Sequence, residues 1–153
     1  NHPERAECVA YFTGFRLEAL AALSGRTVLR GESQVHLDHA AGHPAEAGRV
    51  IPVSRHQPFE ATGWSVTCHG QRAAAYAVLE GADGRLWYVR MHAARRPDIA
   101  AMFQQREAQW DGFTVRTMLD RLPEGEYSMY LYEENRQGVW YGSDVLAVLH
   151  VSN

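Results

Sequence analysis

From Arg49 to the carboxyl end, the chain reads as short extended runs, one roughly every ten residues, each closed by a turn signal. That rhythm constrains the fold more than any other feature, because runs this short bury an apolar face only by stacking as sheets. The predicted strands are Arg49–Ser54, Phe59–Cys68, Ala73–Leu79, Leu86–Met91, Phe113–Leu119, Tyr127–Tyr132, Gly138–Tyr141 and Asp144–Val151. Ala82-Asp83-Gly84 is a tight-turn signal that joins two of them as a hairpin. Leu122-Pro123-Glu124-Gly125 is a second turn, since proline presets φ and glycine closes the bend. Strand alternation puts Trp64, Val66 and Cys68 on one side of their run. It puts Tyr127, Met129 and Leu131 on one face of theirs, with Tyr130 and Tyr132 on the other. Asp144–Val151 is apolar on both faces, so it is expected to be central and covered on both sides. The pattern predicts a mainly β fold, a β-sandwich of immunoglobulin or carbohydrate-binding-module type.

Two segments depart from this rhythm. Glu4–Ser24 predicts an N-terminal helix, with Phe12, Phe15, Leu20 and Leu23 near one face and Gly25 as the stop. Short extended pieces at Arg26–Arg30 and Gln34–Asp38 follow, and then a loop rich in Ala, Gly, His and Pro from His39 to Gly48. The expected division is therefore a helix and connector over residues 1–46 and a sandwich domain over 47–153. Inside the sandwich, Arg96–Phe103 predicts one short inserted helix: Pro97 suits its first position and Asp98 the positive end of its dipole.

Composition excludes several function classes. A net charge of −3 gives no basic surface for nucleic acid. All fifteen basic residues are arginine, so a P-loop lysine and a Schiff-base lysine are both ruled out. The chain opens on Asn1 without a basic, apolar leader, and is expected to be a piece of a longer or processed protein whose anchor or export signal lies outside it. Cys8 and Cys68 fit no zinc-site spacing; pairing and two free thiols both stay open.

Four short motifs follow one another along the sandwich region: Gly63-Trp64-Ser65-Val66, Arg96-Pro97-Asp98-Ile99-Ala100, Gly112-Phe113 and Leu122-Pro123-Glu124-Gly125-Glu126-Tyr127. In this order they resemble a β-sandwich module attached to bacterial glycosyltransferases and to polytopic membrane proteins of cell-surface glycan assembly. The resemblance covers about residues 47–153, and departs from the pattern at Ser65 and Thr67, where Ala and Asp are usual. It implies a fold and a setting but no transferable activity. The motif residues have structural readings. Gly63 lets Trp64 pack closely, and the buried indole anchors the core. Arg96 is extended before Pro97 and pairs with Asp98 or Asp111, while Asp98 caps the helix. Gly112 supplies a positive φ before Phe113. Pro123 and Gly125 shape the turn.

The candidate sites are three. His36, Asp38, His39 and His43 are a possible metal cluster, since imidazoles and carboxylates converging on one point bind metal. Cys68-His69 could pair a thiolate with a base, but neighbours along a strand point to opposite faces. Glu133-Glu134 reads as a solvated hairpin tip. Tyr130, Tyr132, Trp140 and Tyr141 fall on neighbouring strands and are the candidate ligand surface, as flat rings with polar tips can stack on sugar faces. The expected function is a non-catalytic accessory domain of a larger bacterial, membrane-associated, glycan-processing protein, on the periplasmic or extracytoplasmic side, although a cytoplasmic position is compatible with the sequence. Its expected partners are the membrane or catalytic domain of that parent, and glycan. No cofactor is expected. One alternative is a protein–protein interaction domain that uses a strand edge. The other is a metal-binding protein or hydrolase built on the His36–His43 cluster.

Overall fold

Alternation of apolar and polar side chains decides where each strand of this chain lies, because a strand buries every second residue on a given face. The computed structural model describes residues 17–20, 26–30, 33–46, 49–67 and 72–153. Its strands are β1 (Leu17–Leu20), β2 (Arg26–Arg30), β3 (Ser33–Ala40), β4 (His43–Pro44), β5 (Val50–Ser54), β6 (Pro58–Thr67) and β7 (Arg72–Gly81). They continue with β8 (Leu86–Arg90), β9 (His92–Ala94), β10 (Gly112–Met118), β11 (Gly125–Asn135), β12 (Trp140–Gly142) and β13 (Ala147–Ser152). One α-helix, α1 (Pro97–Phe103), and a 3-10 turn at Arg106–Trp110 separate β9 from β10.

The strands form two sheets. The smaller has the order β4-β3-β6-β10-β9. The larger is built around β11, which pairs with β7 along one edge and is shared on the other between β13, at Gly125–Met129, and β12, at Tyr132–Glu134. Beyond these, β8 extends the sheet from β7, β5 runs parallel to β13, and β2 runs parallel to β12 with β1 antiparallel outside it. One apolar core lies between the sheets. The smaller sheet contributes Leu37, Ala40, Phe59, Ala61, Phe113 and Val115; the larger contributes among others Ile51, Leu79, Met129, Leu131, Leu149 and Val151. Fully burying a side chain of this kind contributes about 1.5–3 kcal/mol.

Most predicted strands lie within two or three residues of the observed ones, and the hairpin through Ala82–Gly84 joins β7 to β8. The N-terminal helix is overturned at Leu17–Leu20, which is a strand paired with Arg26–Arg30; hydrogen bonding to a neighbour outweighs the helical spacing of the apolar residues. The rest of the expected helix, and Cys8, lie outside the described residues. The division near residue 47 does not separate two units. β3 pairs with β6 through most of its length, and Leu37 and Ala40 lie in the shared core. The expected loop at His39–Gly48 contains the end of β3 and the two-residue strand β4. β13 is central, between β11 and β5, but Val145 just before it is exposed and Val148 only half-buried. Among the described residues, no helix is long and apolar enough to cross a membrane.

Candidate functional site

Trp64 sits on the opposite side of β6 from Phe59 and Ala61, and so faces away from the inter-sheet core. This corrects the expectation that it anchors that core. The indole is 9% exposed and packs with Val66, Ile99, Phe103 and Ala108 in a separate cluster beneath α1, meeting the Phe103 ring edge-on at 5.5 Å. The need for Gly63 is also different. A Cβ there would stand 2.2 Å from the His36 carbonyl oxygen and 2.7 Å from the Phe113 ring, so Gly63 admits Phe113, its register partner, and not Trp64. Gly112 does not have a positive φ. It is required because a Cβ would meet the Ala94 carbonyl oxygen and Arg96 Cγ, both at 2.4 Å.

Arg96 gathers the remaining motif residues. Its Nε and Nη2 donate to the two carboxylate oxygens of Asp98 at 2.9 and 2.8 Å, and its Nη1 donates to Asp38 at 2.6 Å. Asp98 therefore does not cap α1, where Pro97 occupies the first turn, and Arg96 pairs with Asp38 in place of Asp111. Arg96 in turn holds the Asp98 carboxyl below its ordinary range. This fork ties the helix to β3. It also engages the one carboxylate of the expected metal cluster. His36 stacks on Trp64 at 5.7 Å, His39 is exposed, and His43 lies 3.5 Å from Arg49. Asp38 falls at a register shift between Leu37 and His39. Among the described residues, no group of three or more His, Cys, Asp or Glu is placed to hold a metal ion. Cys68 and His69 lie outside the described residues.

The four aromatics expected on the surface are all buried: Tyr130, Tyr132 and Trp140 with Val78 on the outer face of the larger sheet, and Tyr141, opposite Glu133, on the inner side. Tyr76 stacks on Trp140 at 5.6 Å and meets exposed Tyr88 edge-on at 5.8 Å. The rings support one another across strands, as aromatic neighbours in a sheet do. They do not present a flat face to solvent.

Glu133 is the functional-looking residue that the sequence reading misplaced. It is 1% exposed, not a solvated tip; the tip is Asn135–Val139, closed by Asn135 Oδ1 accepting from the backbone N–H groups of Gln137 and Val139. The signal was available, because Tyr127, Met129, Leu131 and Glu133 share one parity. Ser65 Oγ donates to Glu133, and Arg72 Nη1 stands 3.9 Å away. Arg72 is held by the backbone oxygens of Trp110 and Gly112 at 3.2 and 2.9 Å. Burial pushes the Glu133 carboxyl above its ordinary range, against the pull of Arg72 and Ser65, while Asp111 adds to the rise. A carboxyl raised on folding stabilises the fold fully below its unfolded value, and that contribution is lost as pH rises from about 4.5 through the folded value. Glu133→Gln keeps the shape and removes the charge. It is expected to be more stable than the parent at pH 8 by about 1 kcal/mol or more, with the difference vanishing towards pH 4. Urea denaturation across this range checks it; parallel profiles would contradict the buried placement.

A groove of about 480 Å³ opens between β8 and the segment Thr117–Leu122. Leu79, Trp87 and Val89 line it from the larger sheet, and Met118, Leu119 and Leu122 from the other side. Both of its walls are sheet edges. Among the described residues, β8 pairs only with β7, and Val115–Met118 pair only with β6. Tyr88 and Met118 at its mouth are 50% and 45% exposed. The volume falls within the roughly 300–1,000 Å³ of ordinary ligand pockets. No known protein-family model matches the chain, and comparison with curated proteins finds no significant match.

Proposed function

We propose that the chain is a non-catalytic, immunoglobulin-like β-sandwich that serves as a protein–protein interaction domain of a larger bacterial protein. The topology supports the sandwich type. The smaller sheet has the order expected for strands A, B, E and D (β3-β6-β10-β9), and the larger contains A′, G, F, C and C′ (β5-β13-β11-β7-β8). Tyr127, at the start of the strand that corresponds to F, donates its hydroxyl to the Pro123 carbonyl at 2.6 Å. That is the corner contact found in such folds, and it gives Pro123 and Gly125 their place in the turn.

The observation that carries the functional reading is the groove between two open sheet edges, with Tyr88 and Met118 exposed at its mouth. The titratable groups that could do chemistry are engaged elsewhere: Asp38 and Asp98 with Arg96, and Glu133 with Ser65. The burial of Tyr130, Tyr132, Trp140 and Tyr141 moves the preference from glycan to polypeptide. The resemblance to modules of surface-glycan assembly places the parent at the extracytoplasmic side of a membrane, with its own membrane or catalytic domain, or a companion protein, as partner.

A photo-crosslinking amino acid at position 88 or 118, in the producing cell, tests this directly. Crosslinks to a defined polypeptide are expected from both positions, and none from the exposed Val50 or Val145. Crosslinks that fail at the groove, or binding on an array of bacterial surface polysaccharides, overturn the reading.

A further inference from the structure

The groove has the construction of a site that takes an added strand, and we infer that it binds an extended, acidic peptide segment of the partner along the free edge of β8. This inference rests on reading the chain as an interaction domain. The Gly81 N–H donates to the Arg85 carbonyl, and the Met91 N–H to the Ala75 carbonyl. Antiparallel pairing therefore turns Arg85, Trp87, Val89 and Met91 towards β7, and turns the N–H and C=O groups of Leu86, Tyr88 and Arg90 outwards. Those outward groups repeat every two residues, about 6.8 Å, the spacing of an extended polypeptide.

Side-chain placement fits the same occupant. Trp87 and Val89 face the groove from β8, so alternate residues of an added strand would point inwards beside them, towards Met118 and Leu119. Their apolar side chains would fill the space left between the sheets. The rim sets the charge. Arg85, Arg90 and Arg121 are exposed, and no ion pair engages them among the described residues. Asp83 and Asp120 are the acidic residues nearby, which leaves an excess of positive charge at the edge. A second copy of the chain fits poorly: antiparallel self-pairing centred on Tyr88 sets each Arg90 beside the partner's Arg85, and like charges across a strand pair repel.

The test uses the full chain and a library of random linear dodecapeptides displayed on phage. The enriched peptides are expected to alternate apolar residues and to carry Asp or Glu at their flanks. The best synthetic peptide is expected to bind at least tenfold more weakly when Arg85 and Arg90 are both changed to Glu. Tyr88→Pro removes one outward N–H and none of the inner ladder, and is expected to abolish binding. If that variant fails to fold, the same peptide N-methylated at alternate amides takes its place and is expected not to bind. Unchanged binding of the N-methylated peptide, enrichment of basic or non-alternating sequences, or concentration-dependent self-association that depends on Tyr88 overturns the inference. Groove crosslinks together with indifference to N-methylation would leave the interaction domain standing and remove only the strand addition.

Discussion

Trp140→Ala is expected to lower stability by about 3–5 kcal/mol, the usual loss when a large buried aromatic is removed. Trp140 is 5% exposed, stacks on Tyr76 at 5.6 Å, and belongs to a cluster with Val78, Tyr130 and Tyr132. Truncation leaves a cavity among rings that rigid strands cannot close, because β11 is pinned by β7 on one edge and by β12 and β13 on the other. For a chain of this size the loss corresponds to a fall in Tm of roughly 10 °C. Tyr132→Ala is expected to behave alike. Thermal and urea unfolding check both. Unchanged stability with altered polysaccharide binding would return these rings to the surface role that the sequence suggested.

Gly63→Ala is the second large effect. The added Cβ would stand 2.2 Å from the His36 carbonyl oxygen and 3.1 Å from Leu37 Cα, both backbone atoms of β3, and 2.7 Å from the Phe113 ring. Neither neighbour can yield cheaply. β6 lies between β3 and β10, so moving one strand away breaks its ladder, and turning Phe113 opens the core on the other side. A loss of about 3 kcal/mol or more is expected. Thr62→Ala, at the exposed neighbouring position, is expected to change stability by no more than about 0.5 kcal/mol. Equal stability of the two variants would mean that the strands do not approach as closely as the structure has them.

The strands were legible because period-two alternation and turn residues are local properties. Leu86–Arg90, the turn at Ala82–Gly84 and the helix opened by Pro97 all follow from a few neighbouring residues. Burial on the second face was not legible. Tyr130 and Tyr132 alternate with Met129 and Leu131, which reads as one face in and one face out, yet both faces of β11 are buried. Nor was the side of Trp64 legible, since alternation groups residues by face without saying which face meets the other sheet. Arg96 illustrates the same limit: its bond to Asp98 is local and was foreseen, while its bond to Asp38, fifty-eight positions away, depends on α1 folding over β3. The groove was the least legible, because it is made by what β8 and the end of β10 leave unpaired, and no single run of residues carries that signal.

Residue-resolved amide hydrogen exchange on the unliganded full chain tests whether the edge of β8 is open. Slow exchange is expected at Trp87, Val89 and Met91, whose N–H groups face β7, and fast exchange at Leu86, Tyr88 and Arg90, whose N–H groups face solvent. Protection at all six positions would mean that the edge is already covered, and would contradict both the open groove and the interaction assigned to it.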